Sequence, residues 1–236
     1  MSGYRAAFAR IALLVLAVVA LEGAAMAQDR SPSFRPHRVT FGAGLPWSSG
    51  YPVGDITATL RRNAASSSTS STLLRAESRV EMAPGVEVRA TVAISSAVAL
   101  EVAGGYSTPR LSVRISDDPE LLEEATASER LSQYTVDASA IYLLPRLHLG
   151  PSARPYVMGG GGYVRQLDEA RLNVNSGGSM HAGAGVQYWM RGGVNRQQRP
   201  LGARAELRIV RRSGGIEFED KARTFPVASF IGFVGF

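Results

Sequence analysis

Apolar and polar residues alternate along most of the chain. In the segment from 84 to 94, Val86 and Val88 stand at even positions, whereas Glu87 and Arg89 stand at odd positions. Because successive side chains of a β-strand point to opposite faces, this period of two predicts strands with one apolar face and one polar face.

Eight segments share this alternation or a β-branched and aromatic composition. They lie at residues 38 to 47, 84 to 94, 97 to 107, 132 to 144, 155 to 166, 179 to 190, 201 to 211 and 225 to 236. Each is close to the roughly 9 to 11 residues with which a tilted strand crosses a bilayer. The connections after odd-numbered strands are long and the others are shorter, a layout typical of bacterial outer-membrane barrels. The predicted fold class is therefore all-β, an eight-stranded antiparallel up-and-down transmembrane β-barrel.

The N-terminus predicts a secretory signal peptide. Arg5 and Arg10 precede an apolar run at residues 11 to 21, and a small-x-small cleavage pattern follows. The apolar run is shorter than the roughly 20 residues of a membrane-spanning helix. We therefore expect a cleaved signal peptide at residues 1–27 and one outer-membrane barrel domain at residues 28–236.

Composition narrows the partners that we expect. The net charge of +6 comes almost wholly from arginine, because Lys221 is the only lysine. We interpret most of this charge as solvated or internally paired; as a binding signal in an exported chain, it favours anionic lipid headgroups and lipopolysaccharide over nucleic acid. The chain has no cysteine, so its stability has to come from backbone pairing and burial. No metal-ligand or nucleic-acid motif appears, and we expect no cofactor.

The C-terminal segment, FPVASFIGFVGF, is apolar to its last residue. Inside hydrocarbon every backbone polar group needs a partner within the protein, so this strand is predicted to pair with the first strand and close the barrel. Its alternation is imperfect, because Phe230 and Phe236 share one side while Ile231 and Phe233 occupy the other.

With its signal peptide, alternating strands and terminal Phe236, the chain resembles the small outer-membrane β-barrel superfamily that includes the transmembrane domain of outer membrane protein A. In that family the aromatic last strand is the signal read by the barrel-assembly machinery, and Phe236 matches its final position. The resemblance implies a location in the bacterial outer membrane, in contact with its lipid and lipopolysaccharide. We also expect a monomer without an appended periplasmic domain.

The polar faces predict a lumen filled by charged side chains. If the apolar faces look outward, the inward set contains Arg38, Glu87, Arg89, Glu101, Asp137, His181, Arg204, Glu206 and Arg208. The near balance of arginines and carboxylates predicts a paired plug in the narrow interior of an eight-stranded barrel. A gated ion path through rearranging pairs is the alternative interpretation.

Three functions remain open at this point. The leading hypothesis is a structural, envelope-integrity or surface-interaction role through the loops, with no catalytic residue. A lipid A-modifying rim enzyme would need a nucleophile beside a histidine, for which Ser179 and His181 are the candidates. A soluble, lipocalin-like barrel would bind an apolar ligand and carry its apolar stripe inside.

The remaining segments carry weaker signals. The glycine run at 159 to 162 lacks the Lys-Ser/Thr pair of a phosphate loop, and we interpret it as making room for bulky neighbours across the barrel wall. Residues 56 to 60 and 79 to 81 predict a hairpin that projects beyond the membrane. The acidic segment at 117 to 129 predicts a short helix.

Overall fold

The computed structural model describes residues 38–61, 70–116, 125–147, 149, 152–168, 174–190, 201–215 and 222–236. The predicted signal peptide lies outside these ranges. Every regular element within them is a β-strand. The described residues contain no helix that is long and apolar enough to cross a membrane.

Eight strands close into an antiparallel barrel, in which neighbouring strands follow the order of the chain. They are β1 (Val39–Ser48), β4 (Ala83–Ala93), β5 (Val98–Ser107), β8 (Ser132–Leu143), β9 (Ala153–Leu167), β10 (Val174–Trp189), β11 (Leu201–Gly214) and β12 (Arg223–Gly235). The last strand pairs with the first, from Thr40↔Gly235 to Ser48↔Val227, and this pairing closes the sheet. The predicted eight-stranded antiparallel barrel is confirmed.

Four further strands form a separate antiparallel sheet, in the order β2-β3-β6-β7. They are β2 (Tyr51–Arg61), β3 (Ser70–Val80), β6 (Arg110–Ser116) and β7 (Ala125–Arg130). β2 and β3 form a hairpin between β1 and β4, in agreement with the hairpin predicted from the sequence. β6 and β7 form a second hairpin between β5 and β8, and β6 joins the first through β3.

The helix predicted over residues 117 to 129 is wrong for its described part. Residues 125–130 form β7, which pairs with β6 from Arg110↔Arg130 to Ile115↔Ala125. These cross-strand hydrogen bonds outweigh the weak helical preference of the local sequence. Residues 117–124 lie outside the described residues.

The barrel has two distinct ends. At the terminal end, β1 begins beside the end of β12, and β4 turns into β5 at residues 94–97. At the other end, called the sheet end, β1 continues into β2 and β3 continues into β4. β10 reaches five residues further toward the sheet end than alternation predicts. Its pairing with β9 extends to Val174↔Leu167 through a stretch of small and polar residues without an apolar period.

Side chains in the barrel wall alternate between the lumen and the outer surface. On the outer face Val88, Leu100 and Leu207 are 64%, 52% and 56% exposed, whereas the inward Glu87 and Arg204 are only 6% and 4% exposed. A soluble barrel has the reverse arrangement, with its apolar stripe inside and its charges in water. The facing of the strands therefore argues against the lipocalin-like alternative.

Candidate functional site

Six charged side chains form a layer across the middle of the lumen. β4, β5 and β11 supply them from the inward positions of their alternation, and every one is buried. They are Glu87, Arg89, Glu101, Arg204, Glu206 and Arg208. Three guanidinium groups thus meet three carboxylates, and this set, called the ion-pair layer, has no net charge.

Arg89 lies at the centre of the ion-pair layer. Its Nη1 donates to Glu101 Oε1 and to Glu206 Oε2, both at 2.9 Å, and its Nη2 donates to Glu87 Oε1 and Glu206 Oε1, both at 2.6 Å. β4 and β11 face each other across the lumen, with β1 and β12 between them in the wall. The bonds between Arg89 and Glu206 therefore run across the lumen.

The other two arginines complete the ion-pair layer. Arg204 Nη1 donates to Glu101 Oε2 at 2.5 Å, and Arg208 Nη2 donates to Glu87 Oε2 at 3.3 Å. Each of the three carboxylates in the layer contacts at least two arginines. Since burying a charge costs free energy that opposite charges and hydrogen bonds offset, this mutual arrangement explains how all six charges remain in the interior. An ion that moved along the axis would have to break these contacts.

A second polar cluster, called the histidine cluster, lies beside the ion-pair layer on the opposite wall and contains Asp137, Ser139, Ser179 and His181. Ser139 Oγ lies 2.8 Å from His181 Nε2, and Ser179 Oγ donates to Asp137 Oδ1 at 3.2 Å. His181 Nδ1 is 4.0 Å from Asp137 Oδ1. The serine that contacts His181 is therefore Ser139, not the Ser179 considered from the sequence.

The glycine run of β9 makes this histidine cluster possible. β9 lies between β8, which carries Asp137 and Ser139, and β10, which carries His181. A Cβ on Gly160 would lie 2.8 Å from Ser139 Cα, and a Cβ on Gly162 would overlap the carboxylate of Asp137. Side chains of the two outer strands thus meet across a strand that has none, as the interpretation of the glycine run anticipated.

A cavity of about 80 Å³ adjoins the histidine cluster and the ion-pair layer on the side of the sheet end. Glu87, Asp137, His181 and Arg208 contribute to its lining, together with Arg212. Pockets for drug-sized ligands measure roughly 300 to 1,000 Å³ and are mostly apolar. The cavity is too small for a lipocalin-type ligand.

An apolar cluster closes the lumen at the sheet end. Its buried members are Tyr51, Val53, Val80, Leu111, Leu131, Phe225 and Val227, which come from both the barrel and the four-stranded sheet. Tyr51 and Phe225 stack with their ring centroids 4.5 Å apart. Arg212 Nη1 donates to Tyr51 Oη at 2.9 Å and to Gln133 Oε1 at 3.0 Å. The sheet is therefore fastened to the barrel through both apolar contacts and a buried arginine.

A second group of buried apolar side chains fills the terminal end. Ile141, Tyr156 and Met158 belong to one cluster, and Trp189 packs edge-to-face on Phe233 at 4.7 Å. These residues are not among the inward set predicted from the sequence. The irregular alternation of the last strand was the available signal, because Phe233 falls on the side opposite to the outward-facing Phe230 and Phe236.

The prediction that Arg38 faces the lumen is wrong. It is exposed and directly precedes β1, where its carbonyl accepts the N–H of Ala93. Although Arg38 has the parity of the inward positions, it lies at the rim, beyond the strand that would aim it into the lumen. Asp137 and His181 lie in the lumen but belong to the histidine cluster instead of the ion-pair layer.

The histidine cluster has the residue types of a hydrolytic triad without the setting of a rim enzyme. Ser139 and His181 are 7% and 6% exposed and face the lumen, not the outer surface of the barrel. A nucleophile also needs donors that stabilise the oxyanion and a route for its substrate. The buried position of the cluster fits hydrogen bonding within the wall better than catalysis at the rim. Within the described ranges, no group of three His, Asp or Glu side chains could hold a metal ion.

Phe236 closes the seam between the first and last strands. Its N–H donates to Val39 O at 2.9 Å, and its ring packs edge-to-face on Phe41 at 5.7 Å. The ring is 47% exposed on the outer surface. The last residue is therefore accessible from outside the barrel at the terminal end.

No protein-family model and no curated protein match the chain. Among solved structures, it is similar to Neisserial surface protein A, at 13% identity and a TM-score of 0.45, over 84% of this chain and 97% of that one. It is also similar to outer membrane protein AlkL in lipid bilayers, at 14% identity and a TM-score of 0.32, over 88% and 93% of the two chains. A third is the translocator domain of autotransporter NalP from Neisseria meningitidis, at 13% identity and a TM-score of 0.31, over 97% of each chain. These likenesses concern the fold alone.

Proposed function

We propose that the chain is a bacterial outer-membrane β-barrel protein with a structural, envelope-integrity or surface-interaction role and no enzymatic activity. The observation that carries this proposal is the apolar exterior of the barrel. Its outward side chains, each 49% to 64% exposed, include Val86, Val88, Leu100, Val102, Val136, Leu207, Ile209 and Phe230. In water such a continuous surface would drive aggregation, whereas acyl chains accommodate it.

Aromatic side chains at both ends of this apolar belt support a membrane location. The outward aromatics toward the sheet end are Trp47, Tyr106, Tyr134 and Tyr163, and those toward the terminal end are Phe41, Tyr188 and Phe236. Tyrosine and tryptophan favour the boundary between hydrocarbon and headgroups, because their rings are apolar and their N–H or O–H groups are polar. The two groups are expected at the two faces of the outer membrane.

The filled lumen favours a structural role over transport. The ion-pair layer crosses the interior, and apolar side chains close both ends of the lumen.

The surface-interaction role is assigned to the four-stranded sheet, whose β7 carries exposed side chains from Thr126 to Arg130. Phe236 is proposed as the residue that the barrel-assembly machinery recognises, since its ring remains exposed at the closed seam.

Expression of the full chain in a Gram-negative host tests the membrane location. We expect the protein in the outer-membrane fraction, with different gel migration before and after boiling. Val88→Arg should lower the yield of the folded form, because arginine on the lipid face near the midplane costs about 2 to 4 kcal/mol. Val88→Thr keeps the branched shape and serves as the matched control. Recovery of the wild-type chain only from the soluble periplasm would reject the proposal.

Lipid A mass spectra test the enzyme alternative separately. We expect the same lipid A species from cells with and without the chain, and from cells that express His181→Asn. A lost or transferred acyl group that depends on the wild-type chain and disappears with His181→Asn would establish the rim-enzyme function instead.

A further inference from the structure

Two tyrosines mark one side of the barrel near the sheet end. Tyr106 of β5 and Tyr134 of β8 are direct cross-strand partners, with ring centroids 5.0 Å apart. They are 39% and 47% exposed on the outer face. This inference rests on the proposed function, in which the two rings lie at the boundary between acyl chains and headgroups.

Two arginines follow on the same side, further toward the sheet end. Arg110 of β6 and Arg130 of β7 are direct partners, each four residues from its tyrosine. Alternation continues between the two pairs, because Pro109 and Leu131 are buried and Leu131 N–H donates to Pro109 O at 2.8 Å. Four residues span about 13 Å of strand, or about 10 Å along the axis of a tilted barrel. That height lies just beyond the headgroup layer, which is about 5 to 7.5 Å thick on each side of the hydrocarbon, and the long arginine side chains can reach back into it.

A third arginine joins them from the neighbouring strand. Arg165 of β9 is exposed and is the direct partner of Tyr134. It follows Tyr163 on the same outward face of β9. The long arginine side chain can extend from this position toward the headgroup layer. The surface formed by Arg110, Arg130 and Arg165 is called the arginine patch.

The arginine patch is not neutralised by ion pairs within the described part of the chain, because none of the ion pairs found there includes one of its members. Arg110 and Arg130 stand directly opposite each other, and such like-charged cross-strand pairs are unfavourable without an anion between them. Three carboxylates lie nearby in the chain. Glu81 adjoins Arg110, Asp168 follows Arg165, and Glu129 is the partner of Leu111, on the other face of β7.

We propose that the arginine patch binds the phosphate groups of the lipid that surrounds the barrel, as in the phosphorylated glycolipid of the outer leaflet. Guanidinium groups bind phosphate oxygens through two parallel hydrogen bonds, and a phosphate between Arg110 and Arg130 removes their repulsion. The acyl chains of the same lipid would contact the apolar belt below the tyrosines. The patch thus selects phosphorylated lipids on this side of the barrel.

Lipid titration of the purified full chain in neutral detergent tests the patch. The probes are diphosphoryl lipid A, the same lipid without phosphates, and inorganic phosphate. The double variant Arg110→Gln, Arg130→Gln removes two patch arginines. The matched control is Arg38→Gln, Arg146→Gln, which removes two exposed arginines outside the sheet end.

We expect the patch variant to bind diphosphoryl lipid A at least about tenfold more weakly, because each arginine near an anionic lipid surface contributes roughly fivefold in affinity. The control variant should bind like the wild type, and adding Arg165→Gln should weaken the patch variant further. Equal losses in both double variants, or equal affinity of the wild type for the dephosphorylated lipid, would overturn the patch.

The proposal would also be overturned if inorganic phosphate bound as tightly as diphosphoryl lipid A and displaced it at millimolar concentration. That result would indicate a site for the free ion. These outcomes are separate from the membrane location. If the wild-type chain is heat-modifiable in the outer membrane and the patch variant keeps its lipid affinity, the patch is wrong and the barrel assignment stands.

Discussion

Glu206 is the carboxylate whose replacement tests the ion-pair layer most directly. Its side chain is 0% exposed and accepts hydrogen bonds from both terminal nitrogens of Arg89, at 2.9 and 2.6 Å, and from Tyr156 Oη at 2.7 Å. Arg208 Nε lies 3.1 Å away. Glu206→Gln keeps the size of the side chain and removes one negative charge, so the neutral layer would carry one uncompensated positive charge.

The expected cost follows from this burial. Removing one partner of a buried ion pair destabilises a protein by about 3 to 5 kcal/mol, because the other partner remains charged and desolvated. The matched control is Glu77→Gln. Glu77 pairs with Arg75 at 3.1 Å with the two side chains 55% and 49% exposed, and such surface pairs contribute about 0 to 1 kcal/mol. A difference of about 2 kcal/mol between the two variants changes the unfolding equilibrium constant about thirtyfold.

Denaturant unfolding of the chain refolded in phospholipid vesicles measures both values. The two tryptophans report on different environments, since Trp47 faces outward and Trp189 is buried in the lumen. The double variant Arg89→Gln, Glu206→Gln should lose less than the sum of its single variants, because it restores neutrality. If Glu206→Gln unfolds within about 1 kcal/mol of Glu77→Gln, the layer is hydrated and the argument from burial fails.

Two more perturbations have matched controls within the chain. Gly162→Ala should reduce the folded yield sharply because its Cβ would overlap Asp137, whereas Gly232→Ala, with no atom within 4 Å of its Cβ, should fold like the wild type in the gel-migration assay. Arg212→Met should loosen the four-stranded sheet, because it removes the hydrogen bonds to Tyr51 and Gln133 and leaves only the apolar cluster to hold the sheet. Limited proteolysis should then cut the sheet in that variant while the barrel stays intact, and equal protection in Arg212→Met and the exposed Arg211→Met would contradict the role of Arg212.

The sequence predicted the strands well because burial in this barrel follows the alternation of residues. Outward positions such as Val88 and Leu100 are apolar, and the inward positions beside them are charged. A period of two identifies the face of each residue, but it does not identify the partner strand or the register. The sequence therefore did not predict that β3 pairs with β6 and joins the two hairpins into one sheet.

The sequence predicted which charged residues of the strands face inward, but it did not predict which side chains contact each other. Glu87, Arg89 and Glu206 follow from parity alone, since each lies on the polar face of its strand. The contact of Ser139 with His181 depends on the distance across β9, and no local pattern in β8 or β10 encodes that distance. The sequence carried this information only indirectly, as the missing side chains of the glycine run.

The order of layers in the lumen explains why charged residues lie at its centre and apolar ones at its ends. Water that reached the ion-pair layer would screen the pairs and weaken them, whereas a low local dielectric strengthens each bond. Trp189 and Phe233 close one end, and Tyr51 and Phe225 close the other. The same side chains that protect the ion pairs also leave no wide aqueous path through the described lumen. Binding is therefore expected on the outer surface and on the four-stranded sheet, where Arg110, Arg130 and Arg165 are exposed.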